Sequence, residues 1–346
     1  MQFIKPDVNI DFSGKRKIAF SVSGLMILIS IASLIFHGGP KYGIDFAGGT
    51  LIQVKFSAPV SIAHIKDGLK TLDVNNVSVQ LFGSSQANEY LIRTDRSAMT
   101  DEGFSDKIQQ ALTKSTGQAA TVRRVEMVGP KVGKDLKEKA LFAIFYSLLF
   151  ITIYISGRFE YKWVLSGVMA AALMGAVYLL SLFTASIALL IAAALVVTLI
   201  LFWFLHLKYA MGAIVALIHD VTITVGIFSL LNKDFTLDII AALLTIIGYS
   251  LNDTIIVFDR IRENLRKSHK SSFDTIINQS INQTLSRTVL TSLTTLMAVV
   301  ALFVLGGGII HDFALAMIVG IVVGTYSSIY VASPILLAWQ RQGKKK

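Results

Sequence analysis

The sequence predicts a polytopic α-helical membrane protein with eight transmembrane helices and one small α+β domain, ferredoxin-like in order, outside the membrane. Three observations predict it. Of 346 residues, 53% are hydrophobic and 16% charged, whereas soluble domains run to about a quarter charged. Apolar runs long enough to cross about 30 Å of hydrocarbon recur along the chain. Between the first and second runs, residues 37–138 are of ordinary mixed composition and contain no such run.

The net charge of +10 raises the possibility of nucleic acid. The basic residues cluster beside the apolar runs, however, as in cytoplasmic loops, so topology explains the charge and no nucleic-acid partner is expected. With no cysteine there is no disulfide and no thiolate metal site. The six histidines show no ligand spacing, no nucleophilic triad is visible, and no cofactor is expected.

In order, residues 1–17 form a cytoplasmic N-terminus ending in Lys15-Arg16-Lys17. The run 18–36 has the length of a span and no small-residue cleavage site after it, so it reads as a retained anchor rather than a signal peptide. Within 37–138, alternation predicts strands at 50–56, 77–82, 89–93 and 119–128, and helical spacing predicts helices at 60–72 and 100–115. That β-α-β-β-α-β order is the ferredoxin-like one. Residues 139–336 hold seven further spans, at 139–156, 163–183, 186–205, 210–231, 237–258, 288–306 and 312–334, and 337–346 form a basic tail. With alternating crossings, the basic links 157–162, 206–209 and 259–287 and the tail all fall on the N-terminal side. Both ends are then cytoplasmic and 37–138 is periplasmic.

The stretch 248–264 places a carboxylate, Asp253, inside a span, where a charge costs about 2.5–3.5 kcal/mol on insertion scales and calls for a partner or a task. Two other ionisable sites fall in or at the edge of the late spans: Asp220, beside His219, and Arg287. At 1.5 Å per residue, Asp253 is about 10 Å and Asp220 about 15 Å from the cytoplasmic edge, so the three are expected to meet at one level. A neighbouring arginine favours an ionised acid and loss of water a neutral one, and their competition makes a group that can switch protonation. A static ion pair that fixes helix packing explains the same residues, and His219, Thr222 and Thr224 could satisfy Asp220 locally. Gly48-Gly49 and Gly306-Gly307-Gly308 read as turns. Gly320-x-x-x-Gly324 reads as a close-packing surface for another helix.

Several of these stretches together resemble a family. Gly43-Ile44-Asp45-Phe46-Ala47-Gly48-Gly49-Thr50 is similar to a signature of the SecD/SecF protein-export membrane proteins, of the RND superfamily. His219-Asp220-Val221, 248–264, Arg287-Thr288 with Thr291-Ser292, and Ser327-Ser328-Ile329-Tyr330-Val331-Ala332-Ser333 resemble its SecF branch. The resemblance implies an RND-like bundle and an accessory, non-enzymatic role. With a SecD-like subunit such a protein uses the proton motive force to draw unfolded polypeptide through the SecYEG translocon. By motif, proton conduction falls on Asp253 and Arg287, with a SecD aspartate. Asp220 is a less direct candidate, and Asn252 and His219 are supporting residues. The family usually has six spans, so 163–205 reads as an inserted hairpin packing on lipid or a partner. Two other classes remain open: an RND-type exporter of lipid or small molecules, and a purely structural translocon subunit.

Overall fold

The computed structural model describes residues 8–70, 72, 77–82, 88–94, 103–160, 163–181, 187–268, 271–306 and 308–343. A first long helix, α1 (Arg16–Phe36), is followed by a short one, α2 (Ile44–Ala47), and then by β1 (Gly49–Phe56), α3 (Ile62–Lys70), β2 (Ser78–Phe82), β3 (Glu89–Thr94), α4 (Phe104–Thr116) and β4 (Ala120–Val128). The strands form one antiparallel sheet in the order β2-β3-β1-β4. The expected strands are all present to within a residue or so. The part of the expected second helix that precedes Gly103 lies outside the described residues.

This head has its own core. Ile52, Val54 and Phe56 alternate inward from β1, Ile92 from β3, and they meet Ile65 and Leu69 of α3 and Ile108 and Leu112 of α4. One face of the sheet is thereby closed by two amphipathic helices, as period-2 and period-3.6 patterns of apolar residues require.

The remainder is helical: α5 (Pro130–Glu160), α6 (Trp163–Ser181), α7 (Ile187–Leu205), α8 (Lys208–Leu230), α9 (Leu237–Lys267), α10 (Phe273–Leu305), α11 (Gly308–Ser327) and α12 (Ser333–Gly343). Five residues of π-helix, Ser328–Ala332, join the last two without a break. Among the described residues, α1, α5, α8, α9, α10 and the continuous stretch Ile310–Trp339 are long and apolar enough to cross a membrane, making this a multi-pass membrane protein. The helices α6 and α7, where the inserted hairpin was expected, are each 19 residues long and apolar.

Small residues set the closest approaches. The buried positions of α1 are Ala19, Ser23, Ser30 and Ser33; Ser30 sits in the space left by Gly226 of α8, and Ser33 hydrogen-bonds Ser229 at 2.8 Å. Gly320 and Gly324 of α11 face Ile246 and Ser250 of α9, four residues apart on each helix. The expected glycine surface is therefore real, and its partner is α9. A Cβ at Gly212 of α8 would meet the Ala332 carbonyl at 3.0 Å, so the π-turn is packed directly on that helix. Apolar contact between membrane helices gains little over contact with lipid, so van der Waals fit at such positions and interhelical hydrogen bonds hold the bundle together.

A Cβ at Gly320 would overlap the Ile246 side chain. Gly320→Val should therefore destabilise the detergent-solubilised protein by about 1–3 kcal/mol. Ile246→Ala in the same chain should recover part of that loss in a thermal-unfolding assay.

Candidate functional site

Beside a small cluster of Leu149, Ala170 and Leu173, the apolar packing of the bundle divides into two large clusters. At the head end, Phe228, Ile239, Leu243, Ile246, Ala314, Met317 and Ile321 pack with Phe46 and Phe235. At the far end, Ala213, Leu217, Ile247, Leu251, Val257, Phe258, Ile281 and Ala332 form another. Between them lies a layer of buried polar residues: His219, Asp220 and Thr224 from α8, Ser250 and Asp253 from α9, Thr288 and Ser292 from α10, and Ser327 from α11.

Asp220 is fully buried and fully met. His219 Nδ1 lies 2.8 Å from its Oδ1, while the hydroxyls of Ser250 and Ser327 donate to Oδ2 at 2.6 and 2.8 Å. His219 Nε2 lies 3.1 Å from Ser23 Oγ of α1, which in turn reaches the Tyr326 hydroxyl at 3.2 Å. Three helices, α8, α9 and α11, meet at one carboxylate through short hydrogen bonds, and α1 joins them through His219. Of the local partners expected for it, His219 is one; the Thr224 hydroxyl instead donates to the Asp220 backbone carbonyl at 2.8 Å.

Asp253 is 1% exposed and much less well met. It accepts one long bond, 3.4 Å from Ser292 Oγ, and that hydroxyl is also 2.7 Å from Thr325 Oγ1. One turn away on the same face of α10, Thr288 buries its hydroxyl with no partner among the described residues. Asn252 lies on the exposed side of α9 and takes part in neither group.

The structure pairs none of the three ionisable residues with another, although Arg287 is near enough for its charge to act on Asp253. Asp220 and Asp253 have separate partners, and Arg287 is exposed and makes no ion pair with Asp253. The reason is angular. Arg287 and Ser292 are five residues apart, hence about 140° apart around a helix of 3.6 residues per turn, so only one can face Asp253. Arg287 does lie within one continuous α10 that runs in from the far end, as expected. Sequence reasoning missed Ser250, Ser292 and Ser327 as carboxylate partners. The usable signal was a hydroxyl residue at each point where spans carrying acids and small residues come together.

At the head end, the glycine-rich signature is a junction. Gly48 and Gly49 have positive φ (77° and 112°), as the expected turn requires. Asp45 accepts the Leu237 backbone N–H at 2.9 Å, capping α9, whose own N-cap Thr236 provides no side-chain bond.

The family described as protein export membrane protein SecD/SecF, C-terminal, matches residues 108–185 and 173–342, and the SecD/SecF GG motif matches 33–60. The protein translocase subunit SecF of Magnetococcus marinus is 41% identical over 355 residues, covering 100% of this chain and 97% of the relative. That of Calditerrivibrio nitroreducens is 40% identical over 340 residues, covering 97% and 96%. Among solved structures, the crystal structure of SecDF, a translocon-associated membrane protein from Thermus, matches with a TM-score of 0.77 at 32% identity. The match covers 98% of this chain and 40% of that one. SecDF in a super-membrane-facing form matches at the same identity and coverage with a TM-score of 0.61.

Ser250→Ala or Ser327→Ala leaves Asp220 Oδ2 one donor, and each should cost about 1–3 kcal/mol of stability in detergent. The double variant leaves that oxygen with none, and its loss should exceed the sum of the two.

Proposed function

This chain belongs to the SecD/SecF family of protein export membrane proteins, and from that membership we propose that it is an accessory subunit of the Sec translocon. With a SecD-like partner it couples the proton motive force to the passage of unfolded polypeptide through SecYEG. It is multi-pass in the cytoplasmic membrane, with both termini cytoplasmic and the head in the periplasm. In this reading the head is ferredoxin-like, on the strength of its β-α-β-β-α-β order and strand order, and α6 and α7 are two added crossings at the rim.

The observation that supports a proton role is the contrast between the two buried acids. Protonating Asp220 would disturb three short bonds at the meeting of three helices, whereas protonating Asp253 disturbs one long bond. Asp253 is thus the residue assigned to carry the proton, and Asp220 with His219 braces the layer beside it. Arg287, exposed on α10, is assigned to act from that side, toward the partner subunit. Only 17% of the apolar stretch of α10 is buried within the chain, the least of the six candidate spans. A charge at that depth calls for a counter-group or water.

Replacement of Asp253 by Asn should reduce gradient-stimulated export in membrane vesicles to the level seen without a gradient, with the amount of protein in the membrane unchanged. Stimulation at the wild-type level would overturn the assignment. Asp220→Asn keeps an acceptor for Ser250 and Ser327 and a polar contact for His219, and should retain most of the stimulation.

A further inference from the structure

The glycine signature after α1 is connected to the bundle as well as to the head. Its backbone pairs with the α8–α9 link: Phe235 N–H donates to the Lys41 carbonyl at 2.7 Å, and Gly43 N–H donates to the Phe235 carbonyl at 2.8 Å. A side chain at Gly43 would meet Thr236 Cγ2 at 2.8 Å. Phe46 is buried in the head-end cluster of the bundle, not in the core of the head. Asp45 caps the first turn of α9 from across the chain, a negative charge at the positive end of the helix. The head itself reaches the same point. Arg93 of β3 forms a two-pronged ion pair with Asp234, its Nη1 also donating to the Tyr42 carbonyl at 3.3 Å, and Lys41 Nζ is 3.3 Å from Asp234.

Three kinds of bond thus attach the α8–α9 link and the first residue of α9 to the head and the segment leading into it: a backbone ladder, a helix cap and an ion pair. From Leu237 to Asp253, α9 is unbroken helix, about 24 Å at 1.5 Å per residue, and unbroken helix transmits tilt instead of absorbing it. The head is also attached covalently, to α1 through residues 37–48 and from β4 through Gly129 into α5, and a Cβ at Gly133 of α5 would meet the Phe46 carbonyl at 3.0 Å.

We propose that Lys41, Asp45, Arg93 and Asp234 form a clasp that makes the head follow the tilt of α9, so that these are positioning residues for work done at Asp253. The link to work rests on the proton reading above; the clasp itself does not.

The test uses the full chain with its SecD-like partner in a lipid bilayer. Because the chain has no cysteine, spin labels at Gln110→Cys in the head and Leu305→Cys in the bundle report one distance. Without a gradient, the wild-type background should give one narrow distribution. Arg93→Ala and Asp234→Ala should each lose that narrow peak, and the double variant should broaden by less than the sum of the two, since they share one ion pair. Asp45→Asn, which keeps an acceptor for Leu237, should stay narrow where Asp45→Ala broadens. Narrow distributions in the alanine variants, or a double variant broadened by the full sum of the singles, would overturn the clasp. Under a gradient the wild-type distance should shift and the clasp variants should not. Broadening in the variants with no gradient shift in the wild type would leave the clasp standing and overturn the proton reading alone.

Discussion

A carboxylate shut away from water must find its donors inside the protein, and in this bundle that requirement is met at Asp220. Its donors come from α8, α9 and α11, and His219 extends the group to α1. Those helices can present short side chains to one atom only if their backbones run close together. Gly324 against Ser250 and Gly226 against Ser30 supply that closeness. Small residues and the polar layer are therefore one device. The glycines admit the hydroxyls, and the hydroxyls hold the helices at the spacing the glycines allow. The head-end and far-end apolar clusters pack against this layer.

Much of this was legible in the chain, and the division between what was and was not is physical. The head strands are short, alternating and bounded by turn residues, so β1 to β4 could be read almost to the residue. The spans follow from length and apolarity, and α10 from the polar approach of 282–284 to Arg287. Direction around the axis was treated as free, which is why Asp220, Asp253 and Arg287 were expected to meet. At 100° per residue, Arg287 and Ser292 face different ways, and Ser292 is the one that reaches Asp253.

What sequence could not show is pairing across long separations. Asp45 and Leu237 are 192 residues apart, and nothing local marks a motif acid as the cap of a distant helix. The same holds at the far end. Asn278 and Asn282 of α10, one turn apart, read the backbone of the N-terminal segment: Ile10 N–H donates to Asn282 Oδ1 at 2.8 Å and Phe12 N–H to Asn278 Oδ1 at 2.8 Å. Phe12 is buried against Tyr330. Two asparagines in a polar segment look like solvated surface until the chain segment they hold is seen.

The π-turn at Ser328–Ala332 has a bearing on how this chain can be compared with its relatives. A π-turn holds one residue more than an α-turn between the same two points, so it displaces the helical phase by roughly 100° for everything beyond it. Gly320, Gly324 and Ser327 point at α8 and α9 in one phase, and the buried pair Leu336 and Leu337 belongs to the next. A helical wheel drawn straight through 310–339 would put one of these two sets on the wrong side. An alignment that closes the extra residue with a gap anywhere else in the helix would do the same to every residue between the gap and the turn.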